Sequence, residues 1–232
     1  MTSIFSSMLA LLPSMVPFAS YEAMPTPIIP STCRCFPGDK CYQRLGQFQS
    51  KIGGKLIAPV PIAAVCHNDQ FATYNAIVCA TLKENWFLPE THLSSSSCCS
   101  AMAWMFADNA CNPFLSNTTL CALGNYVSYT VNATTADDVK EAVKFANLFN
   151  VRPVIRATGY DYNGKSTGAG ALAVWTYHLT SISLTDSYES AAYTGKAAVV
   201  GSGVSSQQAY EFADANNGII ITVNYPTVAP AG

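Results

Sequence analysis

Charge is scarce in this 232-residue sequence: Asp, Glu, Lys and Arg make up 11% of it, against about 25% in an ordinary globular chain. With 12 basic and 14 acidic side chains the formal net charge is −2. The basic residues beyond position 112 stand singly among acidic ones, so the clustered positive face that nucleic acid requires is missing. Histidine is scarcer, with only His67, His92 and His178. No Cys-x-x-Cys pair accompanies them, which argues against a zinc site, and each reads as structural rather than catalytic. An unbroken membrane-spanning run is lacking too. The apolar stretch from Ile4 to Ala19 is interrupted by Pro13 and Pro17, whereas a span needs about 20 apolar residues. What is present is apolar bulk: half the residues are hydrophobic, which excludes a disordered chain and supports a packed core. The length suits one generous domain, or a domain with an extension.

Cysteine is abundant and one-sided. Cys33, Cys35, Cys41, Cys66, Cys79, Cys98, Cys99, Cys111 and Cys121 all lie in the first 121 residues. Such a cluster points to an oxidising, secretory compartment and a disulfide framework of four pairs and one odd thiol, with connectivity open. The apolar N-terminus ends in the small residues Ala19 and Ser20. Residues 1–20 therefore read as a cleavable signal peptide, although no Lys or Arg precedes the apolar stretch; a buried apolar N-terminus is the alternative. The sequons Asn117-Thr118-Thr119 and Asn132-Ala133-Thr134 fit a secreted, extracellular protein.

Residues 21–112 form a cysteine-rich extension that opens on an extended lead-in carrying Pro25, Pro27 and Pro30. The remainder, 113–232, alternates helix and strand in an α+β pattern. Tyr126 to Val131 alternates like a strand. Thr135 and Asp138 make a capping box, followed by an apolar helix face of Val139, Ala142, Val143 and Ala146. Pro153 to Ile155, Ala171 to Trp175 and Ala197 to Val200 read as further strands. Ser205 and Gln208 form a second capping box ahead of Ala209, Phe212 and Ala213, with Gly218 at the helix C′ position. The run Ile219, Ile220, Ile221 and Val223 then suits a buried strand.

The segment from Arg156 to Leu172 reads RATGYDYNGKSTGAGAL. Its glycines allow main-chain amides to approach an anion, and Lys165, Ser166 and Thr167 add donors. A phosphate cradle is one reading, and a tight polar connection between strands is the other. Gly159 to Ser166 also satisfies G-x-x-x-x-G-K-[ST], but Gly168, Gly170 and a strand-like ALAVW follow at once. The helix N-terminus on which a nucleoside-triphosphate loop depends has no room to start.

The stretches CRCFPGDKC, GGKLIAPVP, the SSSS segment, LGNYV, VIRATGYDYNGKSTGAGALAVWT, YTGKAAVVGSGV and YPTVAPAG resemble fungal secreted FAD-linked oxidases of the vanillyl-alcohol-oxidase and berberine-bridge-like group. The resemblance implies a PCMH-type FAD-binding domain over 113–232, incomplete at its C-terminus because the family continues into a further flavin segment and a substrate domain. It implies that Thr158, Gly159, Asp161, Asn163, Gly164, Lys165, Ser166 and Thr167 wrap the FAD pyrophosphate, with Tyr160 and Thr227 also at the cofactor. Two departures stand out. Tyr160 occupies the place of a histidine joined to the flavin 8α-methyl group, and Tyr225 that of a cysteine joined at flavin C6. A phenol with pKa about 10 is mostly neutral and a weaker nucleophile than imidazole or thiolate, so FAD is expected to be held without covalent bonds.

The resemblance further implies hydride transfer from a small organic substrate to flavin, with oxygen as acceptor, in secondary metabolism. The cofactor supplies that chemistry, and no catalytic residue is assigned. A non-catalytic secreted binding or scaffold domain is the alternative from a different class, with a nucleoside-triphosphate-binding protein behind it.

Overall fold

The computed structural model describes residues 33–96, 107 and 109–231. The expected signal peptide, the proline lead-in, Cys98 and Cys99 lie outside them.

The centre is a four-stranded sheet of β1 (Leu56–Ile57), β2 (Tyr129–Asn132), β3 (Pro153–Arg156) and β4 (Leu172–Trp175), in the order β1-β2-β4-β3. Strand β4 runs parallel to both neighbours, with Val174 opposite Val131 on one side and Ile155 on the other, while β1 is antiparallel to β2. All four residues of β4 are buried. A strand covered on both faces has to be apolar throughout, and LAVW is. Leu172 and Val174 face one core cluster, Ala171 and Ala173 another.

Thr135 caps helix α4 (Ala136–Leu148) as the capping box demands. Its hydroxyl accepts from the Asp138 amide at 3.2 Å, and Asp138 Oδ2 accepts from the Thr135 amide at 2.9 Å. Asp138 also pairs with Lys55 at 2.7 Å. Burial opposes ionisation there, but the hydrogen bonds from Lys55, Thr134 and Thr135 outweigh it, and the carboxyl falls to about 2. The buried face is Ala142, Phe145 and Ala146 with Val139 beside them, while Val143 is turned outward. Phe145 stacks on Phe48 of α1 (Leu45–Lys51) at 4.4 Å between ring centroids. The Tyr42 hydroxyl donates to the Gly170 carbonyl at 2.9 Å. Segments on both sides of position 112 thus share one core.

The cysteine-rich part contains more helix than its weak periodicity announces. Besides α1 it holds α2 (Ala76–Asn85) and α3 (Glu90–Leu93), stapled by Cys35–Cys41, Cys66–Cys79 and Cys111–Cys121. The Asn75 side chain caps α2 by accepting from the Ile77 and Val78 amides.

Strands β5 (Ile182–Glu189) and β6 (Thr194–Val200) form a separate antiparallel pair, and α5 (Ser206–Ala215) follows with the expected Ser205 and Gln208 box. Two expectations need correction. The left-handed residue after α5 is Asn217 at φ 52, not Gly218. The Asn217 amide bonds to Asp214 and the Gly218 amide to Ala213, so Gly218 takes the next place in the same closing motif. Residues 219–223 are not a buried strand: Ile219 and Ile221 are 98% and 96% exposed. β-branched residues favour a strand only where a neighbouring strand pairs with them, and none does so among the described residues.

Candidate functional site

The segment 157–171 carries the chain from the carboxyl end of β3 back to the start of its parallel neighbour β4. A parallel pair needs a crossover of about a dozen residues or more, and here that crossover is a glycine-rich loop without a helix. It leaves the sheet at the carboxyl ends of the strands, where open α/β sheets bind ligands. A cleft of about 450 Å³ opens there, bordered by Tyr160, Asp161, Lys165, Ser166, Thr176 and Ser202 among others. Small-molecule sites typically span about 300–1,000 Å³.

Asp161 shapes this loop. Its carboxylate accepts from the amides of Asn163 (3.1 Å), Lys165 (2.7 Å) and Ser166 (3.0 Å), and from the Ser166 hydroxyl. Burial works against ionisation, but these donors outweigh it and hold the carboxyl below the usual carboxylate range. Gly159 and Gly164 lie at φ +75 and +67, the left-handed conformation that lets the chain turn around the carboxylate. The amides of Asn163, Lys165 and Ser166 therefore face Asp161. Among the described residues nothing accepts from the amides of Gly159, Tyr160 or Gly164.

Thr158 and Thr167 turn into the protein. Thr158 Oγ1 accepts from the Ala229 amide at 3.1 Å, and the Thr167 hydroxyl donates to the Asn125 carbonyl at 3.3 Å. They pin the loop near its two ends and leave Lys165 exposed beside the cleft. The stretch after Ser166 is turn rather than helix, so the triphosphate-loop spacing lacks the helix dipole that gives it meaning.

Tyr160 and Tyr225 meet, with ring centroids 5.7 Å apart. The Tyr160 and Thr227 hydroxyls share a short hydrogen bond, and Tyr225 and Thr227 donate to Glu90 Oε1 at 3.3 and 3.4 Å. Burial pushes the Tyr160 phenol up to about 12; the Thr227 hydrogen bond works against this and the Glu90 charge adds to it. Tyr160 is thus a neutral donor at any ordinary pH.

Ser202 and Glu90 were not singled out from the sequence. Ser202 sits between Gly201 and Gly203, where a Cβ would collide with the Leu179 and Tyr177 carbonyl oxygens respectively. The Gly-Ser-Gly pattern just after a strand was the available signal. Ser202 Oγ is buried and has no partner among the described residues, a state that a bound group in the cleft would relieve. Glu90 carried no motif.

The histidines are engaged on separate segments. His67 bonds to the Ser116 and Asn112 carbonyls, His92 to that of Trp86, and His178 to the Asn132 side chain. Cys35, Asp39 and Cys41 lie within ligand distance of one another, but the two sulfurs are joined to each other.

Residues 127–229 match the family described as "FAD binding domain". The "FAD-linked oxidoreductase sor8" of Hypocrea jecorina is 41% identical over 97% of this chain and 39% of its own length. The "VAO-type flavoprotein oxidase VAO615" of Thermothelomyces thermophilus is 40% identical over 87% of this chain and 35% of its length. The crystal structure of the VAO-type flavoprotein MtVAO615 from Myceliophthora thermophila superimposes with a TM-score of 0.81 at 40% identity, covering 87% of this chain and 37% of that one. Residues 127–229 are therefore an FAD binding domain of the kind carried by these VAO-type flavoproteins.

The α+β fold is accordingly the VAO-type FAD-binding fold, and the chain spans well under half the length of these relatives. The flavoprotein family supplies a cofactor against which the cleft can be judged. The orphaned Ser202 hydroxyl and the exposed Lys165 side chain border the same cleft and are donors suited to a dinucleotide diphosphate.

Proposed function

We propose that this chain is the flavin-holding part of a secreted FAD-dependent oxidase, with the 157–171 loop and Ser202 gripping the FAD diphosphate without covalent bonds. The observation that carries the reading is the unpartnered hydroxyl of Ser202, a residue that lines the same cleft as Lys165 at the carboxyl ends of β3 and β4. Asp161 keeps the loop open by drawing three amides inward. Thr158 and Thr167 fix its ends, and Tyr160, buttressed by Thr227 and Glu90, closes one side. Bound FAD would supply the redox chemistry, accepting a hydride from a small organic substrate and passing electrons to oxygen. The disulfides among the described residues accord with an oxidising, extracellular setting.

Titrating FAD into the desalted protein, followed by flavin fluorescence, tests the reading. Saturable binding, with all the flavin released into the supernatant on acid precipitation, supports it. A protein that takes up no FAD favours a non-catalytic binding or scaffold domain instead.

A further inference from the structure

The two sequons occupy unlike settings. Asn117 lies on the loop closed by Cys111–Cys121, and Asn117, Thr118 and Thr119 are all exposed. The loop is held from beneath: the buried His67 ring bonds to the Ser116 and Asn112 carbonyls at 3.1 and 3.0 Å, and the Asn68 amide donates to the Asn117 carbonyl at 2.8 Å. The Thr119 amide closes a turn on the Ser116 carbonyl at 2.9 Å. The backbone is thus fixed while the side chains stand in solvent. Asn132 ends the interior strand β2, where its Oδ1 bonds to His178 Nδ1 at 2.6 Å, Ala133 beside it is fully buried, and the Thr134 hydroxyl donates to Asp138.

Asn117 also borders a groove of about 390 Å³ between its loop and α2, shared with Tyr74, Ala80, Lys83 and Leu115. Tyr74 and Leu115 are exposed, and Leu120 nearby is 71% exposed. Tyr74 and Leu115 give the groove an exposed apolar lining beside Lys83. A bulky, solubilising sugar attached at its edge would cover it.

We propose that Asn117 carries an N-linked glycan whose first sugars lie over this groove, and that Asn132 carries none; this rests on the secretory reading above. Asn117 Nδ2 displaces the diphosphate from the anomeric carbon of a lipid-diphosphate oligosaccharide. The C1–N bond forms, the C1–O bond breaks, one amide proton is lost and the lipid diphosphate leaves, with no change of oxidation state. The ring face of Tyr74 offers the amphipathic surface on which a pyranose packs.

The test is to express the full chain with its own N-terminus in a fungal host and to measure intact mass in medium and cell fractions, before and after endoglycosidase, for the wild type, Asn117→Gln and Asn132→Gln. The expected result is glycan mass on the wild type and on Asn132→Gln in the medium, with polypeptide mass alone for Asn117→Gln. Deglycosylated wild type is also expected to bind more of an apolar dye such as ANS. Chain in the medium without glycan, or glycan lost only in Asn132→Gln, overturns the site alone. Unmodified chain retained in the cells overturns the secretory reading and the site together.

Discussion

The Tyr160 hydroxyl is hydrogen-bonded to the Thr227 hydroxyl across 67 residues of sequence. This contact brings the loop after β3 against the 225–229 segment, and it places Tyr160 next to Tyr225. The two positions at which related oxidases are expected to attach flavin are therefore neighbours in this chain, both filled by phenols.

Covalent attachment is expected to be recoverable at one of them. Tyr160→His puts an imidazole where the half-buried phenol stands, and imidazole is the better nucleophile. After incubation with FAD and acid precipitation, the variant should keep flavin in the pellet while the wild type releases all of it. Complete release from both would show that the Tyr160 position does not face the flavin methyl edge.

Alkaline pH should weaken the fold through Tyr160 and Tyr42. Burial raises both phenols to about 12, with the Tyr129 charge adding at Tyr42. Unfolded, they titrate near the usual value of about 10. The unfolded state therefore loses its protons first, and the stabilisation held below pH 10 drains away as pH rises toward 12. Denaturant midpoints measured from pH 8 to 11.5 should fall, and less steeply in Tyr42→Phe.

Acid should act through Asp138. Its folded pKa of about 2 lies below the unfolded value, so the stabilisation is present above about pH 4 and lost as pH falls through 2. With allowance for the partly exposed Lys55 ammonium, the loss in Asp138→Asn at pH 7 should be about 1–2 kcal/mol. Urea unfolding should show the gap between variant and wild type closing near pH 2.

Gly203→Ala should destabilise the fold through the backbone next to Ser202. The added Cβ meets the Tyr177 carbonyl oxygen, which is backbone and cannot swing aside. A cost of about 2–3 kcal/mol is expected from such overpacking. A thermal midpoint equal to that of wild type would mean that the loop after β6 is not pressed against the strand exit.

The sequence disclosed elements whose signals are local. Thr135 with Asp138 and Ser205 with Gln208 each marked a helix start because a capping box needs only four consecutive residues. Strand β4 was legible because burial on both faces demands an unbroken apolar run. Elements decided by distant contacts were harder to read. Ile219 to Val223 has strand-forming residues and no strand beside it among the described residues, and Val143 yields its place on the buried face to Phe145, whose ring stacks on Phe48. At the site the glycine loop announced itself through composition. Ser202 and Glu90 arrive from remote segments, and only the folded chain brings them to the loop.

The central claim is that the cleft beside Lys165 and Ser202 holds a flavin dinucleotide by its diphosphate. Calorimetric titration of FAD into wild type, Lys165→Ala and Ser202→Ala tests it directly. Lys165 is exposed and Ser202 is small, so both variants should keep the wild-type melting temperature. A charge-assisted contact is worth about 1.5–3 kcal/mol, so Lys165→Ala should weaken binding by roughly 10-fold or more, and Ser202→Ala should weaken it by less. FAD binding that is equally tight in all three proteins, or absent from the wild type, would contradict the account.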